Sequence, residues 1–109
     1  MPFSTGRRYT IEDDSRMIED AGQVLRILSD DTIGSRHQRF IVRLSTGQTI
    51  LIVHNIDLVK RVPVAIFDRV RFKGEYEFGP KGGLVHWTHQ CPRGEHEAGW
   101  IEHEGVVYT

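Results

Sequence analysis

Residues 35–56 contain the pattern that most constrains the fold, because two strand-like segments are separated there by a tight turn. Apolar side chains alternate along the first segment, where one face is formed by Phe40, Val42 and Leu44. This period of two predicts a half-buried strand. The second segment, TILIVHNI, is a continuous run rich in β-branched residues, which favours a strand covered on both faces. Gly47 lies between them and can adopt the positive φ of a tight turn, so we predict a β-hairpin.

Other strand signals lie on both sides of this hairpin. Residues 23–28 are apolar and extended, and residues 68–78 alternate, which predicts core positions for residues such as Tyr76. Gly74 lies among those core positions, where the strand must bend or another backbone must come close. Residues 84–90 form a fifth predicted strand, which also places Trp87 in the core.

The two ends of the chain carry different signals. Residues 1–9 are polar and predict a loose arm. Thr10 and Asp13 resemble a capping box, and a weak apolar stripe after it predicts a short helix over residues 11–21. Residues 100–109 predict a terminal hairpin that turns at Glu104 and Gly105.

Five antiparallel strands, one of them marked by glycine, match the five-stranded oligonucleotide/oligosaccharide-binding barrel, the OB-fold. We therefore predict an all-β protein with minor α content, built as a single OB-like domain over residues 1–109. Its parts are an N-terminal arm and helix (1–22), the antiparallel β-barrel (23–90), and a loop with a C-terminal hairpin (91–109). The alternatives are another small barrel or a meander sheet.

Composition narrows the functional classes. The chain has 109 residues and a formal net charge of −1, which weighs against broad non-specific nucleic-acid binding. Its one cysteine, Cys91, cannot form an internal disulfide. No stretch is long and apolar enough to span a bilayer, and the N-terminus lacks a signal-peptide core. The sequence as given predicts a cytoplasmic protein, or a periplasmic or secreted one if a leader has been removed.

Several motifs resemble a family of short bacterial proteins known only as a domain of unknown function. They are GSRHQRFIVRL (34–44), HNIDL (54–58), GEYEF-GPKGG (74–83), HWTH (86–89) and GWIEHEGVVY (99–108). The resemblance covers roughly residues 23–108 and implies no established activity, although relatives with leaders imply a secreted or envelope location. Phe78-Gly79 stands where relatives are expected to have Trp-Asn, and Cys91 stands where they are expected to have Asp. A ligand or base at that acidic position would be altered or lost here.

Four of the six histidines fall between residues 86 and 103, and they raise the question of a metal site. Imidazoles bind zinc and other divalent metals, and the weak candidate ligands are His86, His89 and His96, with Cys91 as a further donor. In a regular strand, residues three apart face opposite ways, so His86 and His89 converge only if the chain bends near Thr88. The alternative is that these imidazoles hydrogen-bond the loop backbone, with His89 a buried structural partner and His103 a surface residue.

Catalysis has weaker support. Cys91 with a nearby histidine has the ingredients of a thiolate nucleophile, but no cysteine-hydrolase signature surrounds it. Glu75 and Glu77 share one strand face, and we expect them to form a solvated, salt-bridged exterior with Arg71 and Lys73. We predict no catalytic residues from these patterns.

Binding is the function that the sequence favours. OB-folds bind ligands across their second and third strands, where basic residues cluster in this chain. Trp100 is the aromatic residue that we expect to be partly exposed and able to stack on a base. Polar residues at the end of the third strand could join residues from the second and fifth strands in a cleft for an anion. The predicted ligand-binding residues are Arg36, His37, Arg39, His54, Asn55, Asp57, His86 and Trp100.

Three hypotheses follow. The first is a non-enzymatic binding module for a single-stranded oligonucleotide or another small anionic ligand. The second is a small metal-dependent or histidine-based hydrolase that uses residues 86–103. The third is a structural or interaction protein in which the tail and Trp100 close a homodimer.

Overall fold

The structure is a computed structural model that describes residues 4–109. A single 3-10 turn (Ile11–Asp13) precedes the strands, and no described helix is long and apolar enough to cross a membrane. The strands are β1 Met17–Asp31, β2 His37–Leu44, β3 Thr49–Asn55, β4 Arg69–Glu77, β5 Leu84–His86, β6 Trp100–His103 and β7 Val106–Tyr108. The described chain is therefore all-β with almost no helix.

Five of the strands form a closed ring. β1 pairs with β2, β2 with β3, β3 with β5, β5 with β4, and β4 returns to β1. The β3–β5 pairing is parallel, and the other four pairings are antiparallel. β1 closes the ring because residues 17–23 pair with β4, whereas the chain from Gly22 onward pairs with β2. β6 extends the sheet from β4, and β7 extends it from β6.

Alternate side chains of the ring point inward and form the core. β2, β3 and β4 alternate strictly between buried and more exposed residues, as the pleat of a strand requires. Every ring strand contributes a fully buried apolar side chain, for example Val24, Phe40, Ile52, Phe72 and Val85. The predicted β2–β3 hairpin and the core position of Tyr76 are confirmed.

Two predictions about glycine are also confirmed. Gly47 has a φ of 90° in the turn between β2 and β3. A Cβ atom at Gly74 would lie 2.4 Å from the backbone oxygen of His86, so the backbone of β5 does come close there. Glycine at this position lets β4 and β5 approach each other.

The predicted helix over residues 11–21 is wrong. The capping box of Thr10 and Asp13 forms, but it caps only the 3-10 turn that ends at Asp13. Ser15 then has a positive φ of 67°, and the chain enters the ladder with β4 at Met17. Pairing with β4 satisfies the backbone groups of this segment and buries Ile18. A short helix with few apolar residues on one face is only marginally stable, so the strand is favoured.

The N-terminal segment is fixed against the sheet rather than loose. Tyr9 is buried, its hydroxyl donates to Asp20 Oδ2 at 2.8 Å, and its backbone N–H donates to Gln48 Oε1 at 2.8 Å. The Thr5 hydroxyl also donates to Asp20 Oδ2, at 2.7 Å. The predicted loose arm is therefore wrong for residues 5–9, and residues 1–3 lie outside the described part of the chain.

The fifth strand ends earlier than predicted. β5 stops at His86 because Trp87 has a left-handed φ of 56°, which breaks the strand alternation. Thr88 turns inward and is buried, whereas Trp87 is 38% exposed. The prediction that Trp87 belongs to the core is wrong, and the expected bend lies at Trp87 itself.

The terminal hairpin is confirmed. β6 and β7 pair antiparallel, and Glu104 and Gly105 both have positive φ values, 50° and 79°, as a two-residue hairpin turn requires. His103 is buried, and its Nε2 lies 2.7 Å from Asp68 Oδ2. The prediction that His103 is a surface residue is wrong, because this pair ties β6 to the segment before β4.

Candidate functional site

An open pocket of about 360 Å³ lies on the outer face of β2, β3 and β5. Its floor includes Ile41, Leu51 and Leu84, which are adjacent across the three strands in the ladder register. Phe78 and Lys81, from the loop between β4 and β5, form part of its wall. The floor residues occupy strand positions that alternate with the core, so this outer pocket is separate from the interior of the ring.

The loop that forms the pocket wall is clamped to the start of β3. Its Gly82 has a φ of 115°, and a Cβ atom there would lie 1.9 Å from the Thr49 backbone oxygen. The carbonyl oxygen of Gly82 accepts hydrogen bonds from the Tyr76 hydroxyl at 2.8 Å and from Gln48 Nε2 at 2.9 Å. These contacts hold the wall at a defined distance from the floor, so the pocket is preformed.

Basic side chains flank the pocket. Arg39 and Arg43 lie two residues before and after Ile41 on the same outer face of β2, and Lys81 lies in the loop. Within the described chain, none of these three residues forms an ion pair. Glu77 is the acidic residue of the lining. Arg39 Nε donates to the Ser29 carbonyl at 2.9 Å. The surface therefore combines an apolar floor with three cations that lack an acidic partner among the described residues.

The predicted polar residues at the end of the β2–β3 hairpin lie together, but they largely satisfy one another. Asp57 accepts hydrogen bonds from the Arg36 backbone N–H at 2.8 Å and from Arg36 Nε at 3.1 Å, which lower the pKa of the Asp57 carboxyl. Asn55 Oδ1 accepts the backbone N–H of Asp57 at 2.9 Å and so shapes the turn. His37 lies opposite Asn55 in the ladder and donates from Nδ1 to the Ser35 carbonyl.

His54 lies inside the ring, away from this group. Its Nε2 donates to the Lys60 carbonyl at 3.2 Å, so its Nδ1 accepts the Thr88 hydroxyl at 2.8 Å. Burial lowers the pKa of His54 to about 4. His54 is therefore a neutral internal residue near pH 7, and the structure does not place it in an open cleft.

The segment after β5 forms a stack of aromatic rings. Trp87 is stacked between His86 and His96, with ring centroids 5.1 Å and 4.5 Å away. The rings of His89 and His96 are nearly perpendicular, with their centroids 5.3 Å apart. Burial lowers the pKa of His89, and the neighbouring charges of His96, His37 and His86 lower it further. The loop therefore brings several histidines near one another, with His89 buried as expected.

Glu75, Glu77 and His86 form a second feature, which we call the carboxylate–histidine cluster. His86 Nε2 lies 3.1 Å from Glu75 Oε1 and 3.3 Å from Glu77 Oε1. The expected pairing of these glutamates with two basic neighbours is wrong. Arg71 lies beside Glu19 and Glu102 instead, and Lys73 pairs with Glu97.

Metal-ligand geometry in the described chain is confined to two groups of three ligand atoms within 4.8 Å. One is the carboxylate–histidine cluster, and the other is Asp68, His103 and Glu104. Of the three histidines suggested by the sequence, His86 belongs to such a group. His89 and His96 approach each other through their rings, but neither belongs to a group of three ligand atoms.

The remaining candidates lie in ordinary structural environments. Cys91 Sγ accepts the backbone N–H of Glu95 at 3.2 Å, and this bond lowers the pKa of the thiol. Trp100 is partly exposed, as predicted, and the Arg71 guanidinium lies over its ring at 5.5 Å. Trp100 is therefore engaged within its own sheet.

The fold and the pocket define a small all-β domain with a ring of five strands and a pocket on its outer face. The family model described as "Protein of unknown function (DUF3465)" matches residues 7–109, and the chain belongs to this family. No curated protein and no solved structure matches the chain. The family resemblance predicted from the motifs is confirmed, and the family description names no activity.

Sequence reasoning missed the floor of the pocket, although a signal for it was present. Ile41 and Leu51 are apolar residues at outward positions of strands whose core positions are occupied by other residues. We interpreted the apolar run of β3 as coverage on both faces, whereas its outward residues are partly exposed. Apolar residues at adjacent outward positions of neighbouring strands form a contiguous patch, and such a patch rimmed by polar residues is a candidate binding surface.

Proposed function

We propose that the protein is a non-enzymatic OB-like binding module that holds a single-stranded oligonucleotide or another anionic ligand on the outer face of β2 and β3. Five strands pair in the order β1-β2-β3-β5-β4, and β4 pairs back to β1. This closed ring supports an OB-like barrel. The order β1-β2-β3-β5-β4 also disfavours a simple meander, because β5 is inserted between β3 and β4.

The position of the pocket is the observation that carries the proposal. OB modules bind ligands on the face of their second and third strands and on the loop between their fourth and fifth strands. The pocket is bounded by Ile41 on β2, by Leu51 on β3 and by the β4–β5 loop with Phe78 and Lys81. The location of the cavity therefore coincides with the ligand-binding surface of the fold class.

The chemistry of the pocket suits a ligand with a flat apolar part and a negative charge. The apolar floor and Phe78 can hold a base, and each base–aromatic stack contributes about 1–3 kcal/mol. Arg39, Arg43 and Lys81 can contact phosphate or carboxylate groups around it. Because the formal net charge is −1, attraction of an anion must come from this local group.

The test is fluorescence anisotropy with a labelled oligothymidylate at low ionic strength. We expect saturable binding that weakens as salt rises, because phosphate contacts release counterions. Phe78→Ala removes one stacking surface and should weaken binding by about 1–3 kcal/mol. Arg43→Ala should weaken binding and reduce its salt dependence.

Arg93→Ala is the matched control, since it removes one exposed cation from the loop after β5. It should leave the affinity unchanged. Polyphosphate as a competitor separates recognition of charge from recognition of bases. The proposal is wrong if neither anion binds at low salt, or if Arg93→Ala weakens binding as much as Arg43→Ala.

A further inference from the structure

We propose that the carboxylate–histidine cluster is a binding site for a divalent first-row transition-metal ion, of which zinc is the probe of choice. The three side chains offer one imidazole nitrogen and two carboxylate oxygens, with all ligand atoms within 4.8 Å of one another. A histidine with two carboxylates is a donor set that zinc and similar ions accept, with remaining positions open to water or a ligand.

The distances between donor atoms already suit a metal ion. Two ligands bonded to one tetrahedral zinc ion at about 2.0–2.1 Å are separated by about 3.3–3.4 Å. His86 Nε2 lies 3.1 Å from Glu75 Oε1 and 3.3 Å from Glu77 Oε1. The 3.1 Å contact is a hydrogen bond in which His86 Nε2–H donates to Glu75 Oε1. A metal ion would take the place of that proton between the same atoms, because a ligating imidazole nitrogen must be deprotonated.

The three donors are held by rigid elements. Glu75 and Glu77 lie two residues apart on one face of β4, and His86 is the ladder partner of Glu75 on β5. Trp87 stacks on the His86 ring at 5.1 Å and restricts its orientation. Sites built on strands and supported by packed neighbours hold their ligands more accurately than sites on loops.

The charge of the cluster also favours a cation. Two carboxylates share one imidazole, and the two basic residues of the same strand that are closest to them in sequence are engaged elsewhere. Lys73 pairs with Glu97, and Arg71 lies beside Glu19 and Glu102. The cluster therefore keeps an excess of negative charge in a partly buried position, where a divalent ion interacts more strongly than at a fully hydrated surface.

The other group of three ligand atoms has a different character. Asp68 Oδ2 already accepts the Ala65 backbone N–H at 2.9 Å and lies 2.7 Å from Nε2 of His103, whose side chain is buried. These contacts join β6 to the turn before β4. The His103 side chain is buried, whereas the His86 side chain is partly exposed and can be reached by an ion from solvent, so the metal proposal concerns the carboxylate–histidine cluster alone.

The cluster borders the outer pocket, because Glu77 lines it and His86 follows two residues after the lining residue Leu84. A carboxylate in the wall would repel an anionic ligand, whereas a bound divalent ion would attract it and offer an open coordination position. This coupling rests on the proposed function, but the metal site itself does not.

The test is calorimetric titration of zinc chloride into chelator-treated protein without a histidine tag, near neutral pH and without oligonucleotide. We expect one zinc ion per chain. His86→Gln should abolish this binding, and Glu75→Gln should weaken it at least about tenfold. Cobalt(II) should give a visible absorption band that His86→Gln also removes.

The matched controls replace a histidine or a glutamate that lies outside the cluster. His96→Gln alters the other ring stacked on Trp87, and Glu102→Gln alters a neighbouring outward carboxylate. Both should retain one zinc ion with unchanged affinity, as should Cys91→Ser. Glu77→Gln, at an outward position of β4, provides a second cluster variant if another loses its fold.

The proposal is overturned if wild-type protein takes up no zinc, or if His86→Gln binds zinc as well as wild type does. A separate anisotropy measurement with and without zinc tests the coupling. Tighter oligonucleotide binding in zinc, lost in Glu77→Gln, supports it, and equal binding in both conditions contradicts the coupling while leaving the calorimetric result intact.

Discussion

Gly74 marks the closest approach between β4 and the end of β5. A Cβ atom there would lie 2.4 Å from the His86 backbone oxygen and 2.7 Å from Val85 Cγ1. Gly74→Ala must therefore push the two strands apart, and we expect it to lower the free energy of unfolding by about 1–3 kcal/mol or more. Urea denaturation measures this loss.

Gly79→Ala is the matched control for Gly74→Ala. A Cβ atom at Gly79 would lie 3.5 Å from Gly83 Cα, which is an ordinary van der Waals contact. Its free energy of unfolding should stay close to that of wild type. Equal losses in the two variants would show that the close approach at Gly74 is not the cause.

His54 predicts how stability depends on pH. Burial lowers its pKa from 6.5 to about 4 in the folded state, so between these values the unfolded chain binds a proton that the folded chain does not. The folded state therefore loses stability as pH falls from about 6.5 toward 4, and above about pH 6.5 the protonation of His54 causes no loss. The difference between 6.5 and about 4 sets the upper limit of this loss at about 3.5 kcal/mol, since one pKa unit corresponds to about 1.4 kcal/mol.

Urea denaturation at about pH 7 and about pH 4.5 checks this dependence. His54→Gln should be less stable near neutrality, and its stability should fall less on acidification. Titration of the His54 imidazole resonances by NMR gives the folded-state pKa directly. A midpoint near 6.5 would contradict the prediction, and so would an unchanged acid dependence in His54→Gln.

At the scale of elements, the N-terminal segment is held to β1 by a buried carboxylate. Asp20 accepts the Tyr9 and Thr5 hydroxyls, and burial raises the pKa of the Tyr9 phenol to about 12. Tyr9→Phe removes one donor from a buried charged acceptor, which should cost about 1–3 kcal/mol of stability. Trypsin should then cleave after Arg7 and Arg8 more rapidly, which gel electrophoresis measures.

Tyr108→Phe is the control, because this partly buried tyrosine lies on the terminal strand, far along the chain from Asp20. It should leave the rate of cleavage after Arg7 and Arg8 unchanged. The prediction fails if Tyr9→Phe matches wild type in both stability and cleavage.

The elements that sequence reasoning identified correctly are those with local signals. β2 and β3 were predictable because their alternation and the Gly47 turn lie within one continuous stretch. The start of β1 was not, because its partner β4 is distant in sequence and Met17 to Ala21 carry a mixed pattern. Trp87 escaped prediction because a left-handed φ at a bulky residue has no sequence signature.

The carboxylate–histidine cluster was likewise predictable only where its signal was local. Alternation placed Glu75 and Glu77 on one strand face, which the structure confirms. It could not show that His86 would be the ladder partner of Glu75, because strand order and register arise from long-range packing. The paired carboxylates were therefore recognised, and their histidine partner was not.

At the scale of the whole molecule, the ring is closed because β1 pairs with two strands, β2 and β4. Deletion of residues 1–22 removes most of the part of β1 that pairs with β4 and opens the ring, so we expect the remaining chain to lose cooperative unfolding. Deletion of residues 104–109 removes β7 and the turn before it, at the outer edge of the sheet, and should leave a folded protein. Circular dichroism with urea denaturation compares the two.

If the chain without residues 1–22 unfolds cooperatively and is nearly as stable as the full chain, the β1–β4 pairing is not required for folding. Loss of folding in the chain that lacks residues 104–109 would show instead that the terminal hairpin is essential to the ring.

The long-range closure of the ring has a consequence for synthesis of the chain. Three ring pairings, β1–β2, β2–β3 and β4–β5, join strands that follow each other closely in sequence. The pairings that close the ring, β1–β4 and β3–β5, do not, because Met17 must find Glu75 and Leu51 must find Leu84. Such high contact order predicts folding in milliseconds to seconds, slower than for helical domains. On the ribosome, the apolar faces of β1 to β3 stay uncovered until β4 and β5 have emerged, so we expect the nascent chain to be prone to aggregation until that point.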